Sequence, residues 1–588
     1  MSVEKLIVDH METWTSALQT RSTAGRGSSG KIDLYGIKKL RELILELAVR
    51  GKLVPQDPND EPASELLRGM KKQQEDLIKE RKIKKPKKLP SIDGTLESIS
   101  VPQGWELCYL NDIGDWGAGA TPNRTNSGYY GGDIPWFKSG ELSEDYITDS
   151  EEHITALALK ECSLRDNQPG DVLIAMYGAT IGKTSILNSR STTNQAVCAC
   201  TPFDGLSNQY LLIFLKASKK VFTAMGAGGA QPNISKEKIV ATLFALPPLN
   251  EQLRIVKKVE QLMSLCDQLE QQSLTSLDAH QQLVETLLET LTDSQNAEEL
   301  AENWARISEH FDTLFTTEAS VDALKQTILQ LAVMGKLVPQ DPNDEPASEL
   351  LKRIAQEKAQ LVKEGKIKKQ KPLPPISDEE KPFELPNGWE WCRLGELIDS
   401  IDAGWSPACS SEPAAPGEWG VLKTTAVQSL EYREYENKAL PKNKAPRPQL
   451  EVKAGDILIT RAGPKNRVGI SCLVEKTREN LMISDKIIRF HLISEDISEK
   501  YISLCLNYGF TSTYLENSKS GMAESQMNIS QDILKMAPIA IPTTHEQLKI
   551  TDKINEMMDY FITLKSQIQS AQQTQLHLAD ALTDAAIN

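Results

Sequence analysis

"GKLVPQDPNDEPASELL" occupies Gly51–Leu67 and returns without a substitution at Gly335–Leu351, an offset of 284 residues. A long identical repeat decides the architecture before any local motif is weighed. The same offset holds on either side of it. Leu47-Ala48-Val49 answers Leu331-Ala332-Val333, "KERKIKK" from Lys79 answers "KEGKIKK" from Lys363, and "VPQGWELCYL" from Val101 answers "LPNGWEWCRL" from Leu385. With small insertions, Ala118–Pro122 faces Ala403–Pro407, "GDVLI" at Gly170 faces "GDILI" at Gly455, Gln231–Ser235 faces Gln526–Ser530, and "NEQLRI" at Asn250 faces "HEQLKI" at His545. The chain is two copies of one unit.

Similarity within the unit is uneven. The opening block is identical, whereas residues 123–230 and 408–525 share only isolated anchors. The pattern implies two constraints: identical parts that meet one thing twice, and divergent parts that meet two different things.

At 588 residues the chain exceeds one ordinary core. With 40% hydrophobic and 25% charged residues it reads as soluble and globular. The opening "MSVEKLIVDHMETW" lacks the pattern of a signal peptide and no apolar run reaches the ~20 residues of a membrane span, so a cytoplasmic location is expected. The nine cysteines lack a CxxC pair and read as reduced core thiols; the seven histidines lack HxxH or HExxH spacing, so no metal site is expected. A net charge of −15 argues against a polyanionic partner, but a local basic stretch runs from Lys438 to Arg467.

Apolar residues at Ile255, Val259, Leu262, Cys266 and Leu269, continuing through Leu291, predict a helix of about forty residues, roughly 60 Å long. Ile550, Ile554, Met557, Phe561, Leu564 and Ile568 predict its C-terminal counterpart. Two such seams can pack as a coiled-coil strut. Before each block an amphipathic helix ends at Gly51 or Gly335, suited to a left-handed cap, and Asp60 or Ser64 is placed to cap the next helix. The "KIKKPKKLP" and "KIKKQKPLPP" runs read as extended linkers. The divergent segments mix β-rich runs ("DVLIAMYG", "DILITRAG", "KIIRFHLI") with helical ones. "GAGGAQPN" from Gly226 reads as a flexible turn.

No catalytic constellation is convincing. "YGATIGKT" misses the first glycine of a P-loop and runs into a strand-like "SILNS", and Glu451-Val452-Lys453 is too short a signal for a nuclease site. Binding chemistry is better represented, because base reading needs amides and guanidinium groups on loops and phosphate contact needs cations. The candidates are Asn123, Arg124, Asn126, Lys138, Lys183, Arg190 and Asn194 in the first half, and Lys423, Arg461, Lys465, Asn466 and Arg467 in the second. Lys138 and Lys423 are matched and suggest a shared phosphate contact.

The ordered set of "GWE", "GD[VI]LI", "NIS" and "LPPLNEQ" or "IPTTHEQ" before a long helix resembles the specificity subunit of type I restriction-modification enzymes. That resemblance implies an α+β chain: two mixed α/β target recognition domains in a pseudo-twofold repeat, joined by long helices packed as an antiparallel coiled coil. It places a helical region at 1–100, recognition domains at 101–248 and 385–544, spacer helices at 249–295 and 545–588, and a second helical region at 296–384. It further implies a non-catalytic subunit that reads a bipartite, asymmetric double-stranded DNA site. Two modification subunits and two restriction subunits would be its partners, with S-adenosylmethionine, ATP and Mg on those partners and none in this chain. Asp57, Asn59, Glu61, Asp341, Asn343 and Glu345 are the candidate subunit contacts. The second half departs from the pattern where Pro247-Pro248-Leu249 becomes Pro542-Thr543-Thr544 and Trp136 becomes Val421. A stand-alone nuclease and a coiled-coil adaptor that binds only proteins are the alternatives.

Overall fold

The computed structural model describes residues 3–21, 31–92, 101–226, 232–381 and 383–587. The glycine-rich turn after Gly226 lies largely outside them. Two compact units divide the described residues, one built from those up to Thr275 together with Gln572 onward, the other from Ser276–Ala571. The division falls inside the two predicted long helices, Leu249–Asp293 and Thr544–Ile587, of 45 and 44 residues.

In the first unit, five strands run in the order Gly114–Ala118, Val197–Pro202, Val172–Ala175, Thr184–Leu187 and Tyr146–Ile147. Their inward faces carry Leu173, Ala175, Leu187, Val197 and Ala199 into one core with Phe137. In the second unit, Ile398–Ala403, Ile487–Leu492, Ile457–Thr460 and Ser471–Leu473 repeat the first four positions of that order. Beside each sheet lies a short parallel pair, in which Trp136 faces Thr192 and Val421 faces Met482. Each "GWE" strand pairs antiparallel with the strand preceding a long helix, Glu106–Tyr109 with Leu243–Leu246 and Glu390–Arg393 with Pro538–Ile541. "SILNS" begins within the strand Thr184–Leu187, and only a short 3-10 turn, Gly178–Thr180, precedes it.

The long-helix seams are real. Within the second unit Val284, Leu288 and Leu291 of the first long helix share one apolar cluster with Phe561 and Ile568 of the second, roofed by Val321, Leu324 and Ile328. Residues at three- and four-residue spacing line one face of a helix, so the seam follows directly from sequence.

Gly51 and Gly335 adopt φ of +67° and +71°, as a left-handed helix end requires. The capping expectation for Asp60 and Ser64 is wrong. Both following helices start at Ala63 and Ala347 behind Pro62 and Pro346, with no side-chain cap. The first helical donors find a carbonyl outside the block instead, Ala63 N–H donating to Gly104 O at 2.9 Å and Ala347 N–H to Gly388 O at 2.8 Å.

The proline-rich stretch after "KIKKQK" is tied down. Arg393, buried in the second unit, donates to the carbonyls of Pro374, Pro375 and Met536 and to both oxygens of Glu380. The guanidinium lowers the Glu380 pKa to about 2 from 4.5. A carboxylate whose folded pKa is depressed adds stability above its unfolded value and loses it as pH falls toward the folded one. Glu380→Gln should therefore lower the unfolding temperature at pH 6, and the gap to the wild type should close between pH 4.5 and about 2, as followed by circular dichroism.

Candidate nucleic-acid interface

The residues that recur in both halves are structural anchors. Gln56 Nε2 donates to Gly51 O and to Glu251 Oε1 at 2.7 and 3.1 Å; Gln340 repeats this with Gly335 O and Glu546 Oε1 at 2.7 and 3.0 Å. Trp389 Nε1 donates to the other Glu546 oxygen at 2.9 Å. Burial raises the pKa of Glu251 and of Glu546, opposed by these donors. The following glutamine holds a neighbouring turn, Gln252 Oε1 accepting from Ser207 N–H and Gln547 Oε1 from Ser498 N–H, both at 2.8 Å. In "GD[VI]LI" the glycines sit at φ of +94° and +91°, and Asp171 and Asp456 accept from the backbone N–H three residues earlier. In "NIS" the isoleucines are buried and the serines cap short helices.

The block also binds both long helices. Asp60, almost wholly buried, pairs with Arg254 at 2.6 Å near the start of the first long helix, and this contact lowers its pKa. Asp344 meets His545 and Thr543 at the start of the second. Lys52 donates to Ile587 O at the end of the second long helix, and Lys336 to Thr292 O and Ser294 O at the end of the first. Each copy thus clasps the start of one long helix and the end of the other. Sequence reading missed these partners because they lie roughly 40 to 540 residues away and nothing periodic marks them.

Of the candidate subunit contacts, Asp57 accepts from the N–H and side-chain amide of Asn59, and Asp341 does the same with Asn343. All four remain exposed, as do Glu61 and Glu345, the latter paired with Arg353.

The candidate DNA contacts separate into groups. In the first unit Arg124 and Lys138 converge on Glu152, at 2.6 and 2.5 Å. Asn123 and Asn126 shape the same loop by accepting from Thr125 N–H and Gly128 N–H. Asn194 holds its own turn through Ala196 N–H, Lys183 reaches Gly140 O, and Arg190 forms a bidentate pair with Asp166. In the second unit Lys423 faces Glu436 at 3.5 Å, Lys465 faces Glu524 at 4.0 Å, and Asn466 is exposed. Arg461 is half-buried. Arg467 turns inward, donating to Gln428 Oε1, Thr424 O and Val427 O; its guanidinium is occupied as an internal brace, and burial lowers its pKa.

Glu451 accepts from Asn480 N–H at 2.7 Å, a loop-closing contact. Among the described residues no cluster of three or more His, Cys, Asp or Glu is arranged to hold a metal ion, and no helix is long and apolar enough to cross a membrane. Burial pushes the Cys198 thiol up to about 12 and raises Cys200 well above its ordinary value, so neither is a nucleophile at neutral pH.

Glu546 offers a direct test of the anchor network. Glu546→Ala leaves the Trp389 donor unpaired in a buried site and takes one acceptor from Gln340, and should cost about 1–3 kcal/mol in denaturant unfolding, whereas Glu546→Gln keeps an acceptor and should cost less.

Residues 102–279 and 386–572 match the family model described as "Type I restriction modification DNA specificity domain". Over the whole length of both chains, the protein is 60% identical to the type I restriction enzyme EcoEI specificity subunit and 48% identical to the EcoAI specificity subunit, both of Escherichia coli. The crystal structure of an HsdS subunit from Thermoanaerobacter tengcongensis aligns with a TM-score of 0.40 at 16% identity, covering 84% of this chain and 99% of that one. The assignment rests on the sequence matches.

Proposed function

The chain belongs to the type I restriction-modification DNA specificity family, and from that membership we propose how its two halves divide target recognition. It is a specificity subunit with two recognition domains, a non-catalytic component that works in a complex with DNA and other subunits. Residues 101–248 read one half of a bipartite, asymmetric site and residues 385–544 the other, while the long helices 249–295 and 545–588 fix the unread spacer. Lys138 and Lys423 contact phosphate; Asn123, Arg124, Asn126, Lys183, Arg190, Asn194, Arg461, Lys465 and Asn466 supply further DNA contacts. The bracing of Arg467 moves it from DNA contact to support of its loop.

One observation carries this division of labour. The two recognition units repeat one strand order, yet their loops carry different polar residues. A frame kept while its rim diverges is what two different half-sites demand of one fold. Exchanging residues 123–230 for the same segment of another member should change one half of the methylated sequence, read by mapping modified adenines; a change in both halves or in neither overturns the reading.

The repeated block supports the second part of the proposal, that each copy docks one modification subunit. Its inward residues have internal duties, but Pro55, Asp57, Pro58, Asn59 and Glu61 are exposed and identical to Pro339, Asp341, Pro342, Asn343 and Glu345. Near them, at matched positions of the long helices, Leu253 and Leu548 are each 52% exposed. The modification subunits would carry S-adenosylmethionine, and two restriction subunits would bring ATP and Mg, in the cytoplasm. Replacing Asp57, Glu61, Asp341 and Glu345 together by Ala should weaken co-purification of the modification subunit without lowering the unfolding temperature; unaltered assembly sinks the docking role.

A further inference from the structure

Both recognition domains place an arginine over an indole, and they do so from different positions of the same backbone frame. In the first, the Arg124 guanidinium lies 4.7 Å from the Tyr130 ring centre and 5.1 Å from that of Trp136, with one edge held by Glu152. Trp136 sits on the strand, buried, and its Nε1 donates to Ala120 O at 3.0 Å. In the second, the Arg447 guanidinium lies 4.1 Å from the Trp405 ring centre.

The frames coincide. Gly119 and Gly404 approach the Thr193 and Ile483 carbonyls so closely that a Cβ would lie 2.1 Å from either oxygen. The next residues are Ala120 and Trp405, and both donate their N–H to that same carbonyl, at 3.0 and 3.1 Å. On the facing strand the matched residues are Trp136 and Val421. The indole has therefore changed places: strand tryptophan with loop alanine in one domain, strand valine with loop tryptophan in the other. The arginine has moved as well, from the loop at 124 to the segment at 447, whose backbone N–H reaches Met482 beside Val421.

Filling this space needs only apolar bulk. An exposed guanidinium kept over the indole by different residues in each domain adds something bulk does not require, a fork fixed in one plane. Stacking on an aromatic face attracts the cation and removes rotational freedom before any partner arrives. A phosphate contact is served by a point charge, as on Lys138 or Lys423. A planar, pre-oriented fork suits bidentate hydrogen bonding to O6 and N7 of guanine in the major groove.

We propose that Arg124 and Arg447 each read a guanine, one in each half of the target, with Tyr130 and Trp136 or Trp405 as the platforms that set the fork. The assignment rests on the two-domain recognition reading above.

The test uses the full chain co-expressed with its modification partner and maps methylated adenines for the wild type, Arg124→Lys and Arg447→Lys. The wild-type target should hold a G·C pair in each half. Arg124→Lys should relax one G·C pair in the half controlled by residues 123–230, with a roughly ten- to hundredfold loss of discrimination there, and Arg447→Lys should do so in the other half. Tyr130→Leu and Trp405→Leu, which keep the arginines, should relax the same pairs to a lesser degree, and thermal unfolding confirms that each variant folds. A half-site without a G·C pair, an unchanged consensus, or equal weakening on all sequences including non-specific DNA overturns the assignment. If exchange of residues 123–230 still switches one half while the lysine variants do nothing, only the guanine assignment fails. If the exchange alters both halves or neither, the recognition reading itself fails.

Discussion

The hydrogen bonds from the block glutamines to the buried long-helix glutamates, Gln56 to Glu251 and Gln340 to Glu546, hold the point on which the rest of each unit is assembled. An acceptor withdrawn from water is costly unless it is matched, so the glutamate and the glutamine must arrive together, joined in the second unit by Trp389 of "GWE". The glycine that ends the preceding helix completes the joint. At Gly51 a Cβ would lie 2.4 Å from the Pro102 ring, and at Gly335 2.5 Å from Pro386, so helix end, block and recognition-domain entry interlock with no room for a side chain.

This joint accounts for an identity that duplication alone leaves unexplained. Each copy of the block holds the start of one long helix through Asp60 or Asp344 and the end of the other through Lys52 or Lys336. A change in either copy would disturb both helices. The constraint falls on the residues with internal partners, Gly51, Gln56, Asp60 and Ala63, whereas the exposed prolines and acids of the same block have few internal duties to preserve them. The inward residues thus account for part of the identity, and the exposed ones form the surface on which the docking proposal rests.

The recognition domains follow the opposite logic. Their sheets are fixed by buried strands such as Val172–Ala175 and Ile457–Thr460, in which every residue is inaccessible to solvent. The loops carry charged groups whose local pairings differ between domains: Arg124 and Lys138 share Glu152, while Lys423 and Glu436 pair apart from Arg447 and Trp405. The strand tryptophan of the first domain, Trp136, is matched by Val421 in the second. In the second domain an indole stands instead at Trp405, the loop position matched to Ala120, with Arg447 stacked on it.

Much was legible in the sequence. Periodic apolar residues such as Ile255, Val259, Leu262 and Leu269 state the long helices, because helical spacing is a local property, and the repeated motifs state the twofold plan. Asp60 shows the limit: its sequence neighbours suggested a helix cap, and only tertiary structure gave it Arg254, because a buried carboxylate takes the strongest donor that folding brings to it. Arg467 read as a base contact from its company of basic residues, yet the fold turns it toward three internal oxygens. Sequence by itself determined the repeat, the helices and the turn glycines, all set by spacing along the chain, and its motifs carry the resemblance to the family. Tertiary structure alone decided which charged groups face outward and which are consumed within, since that depends on distances between residues the chain does not place side by side.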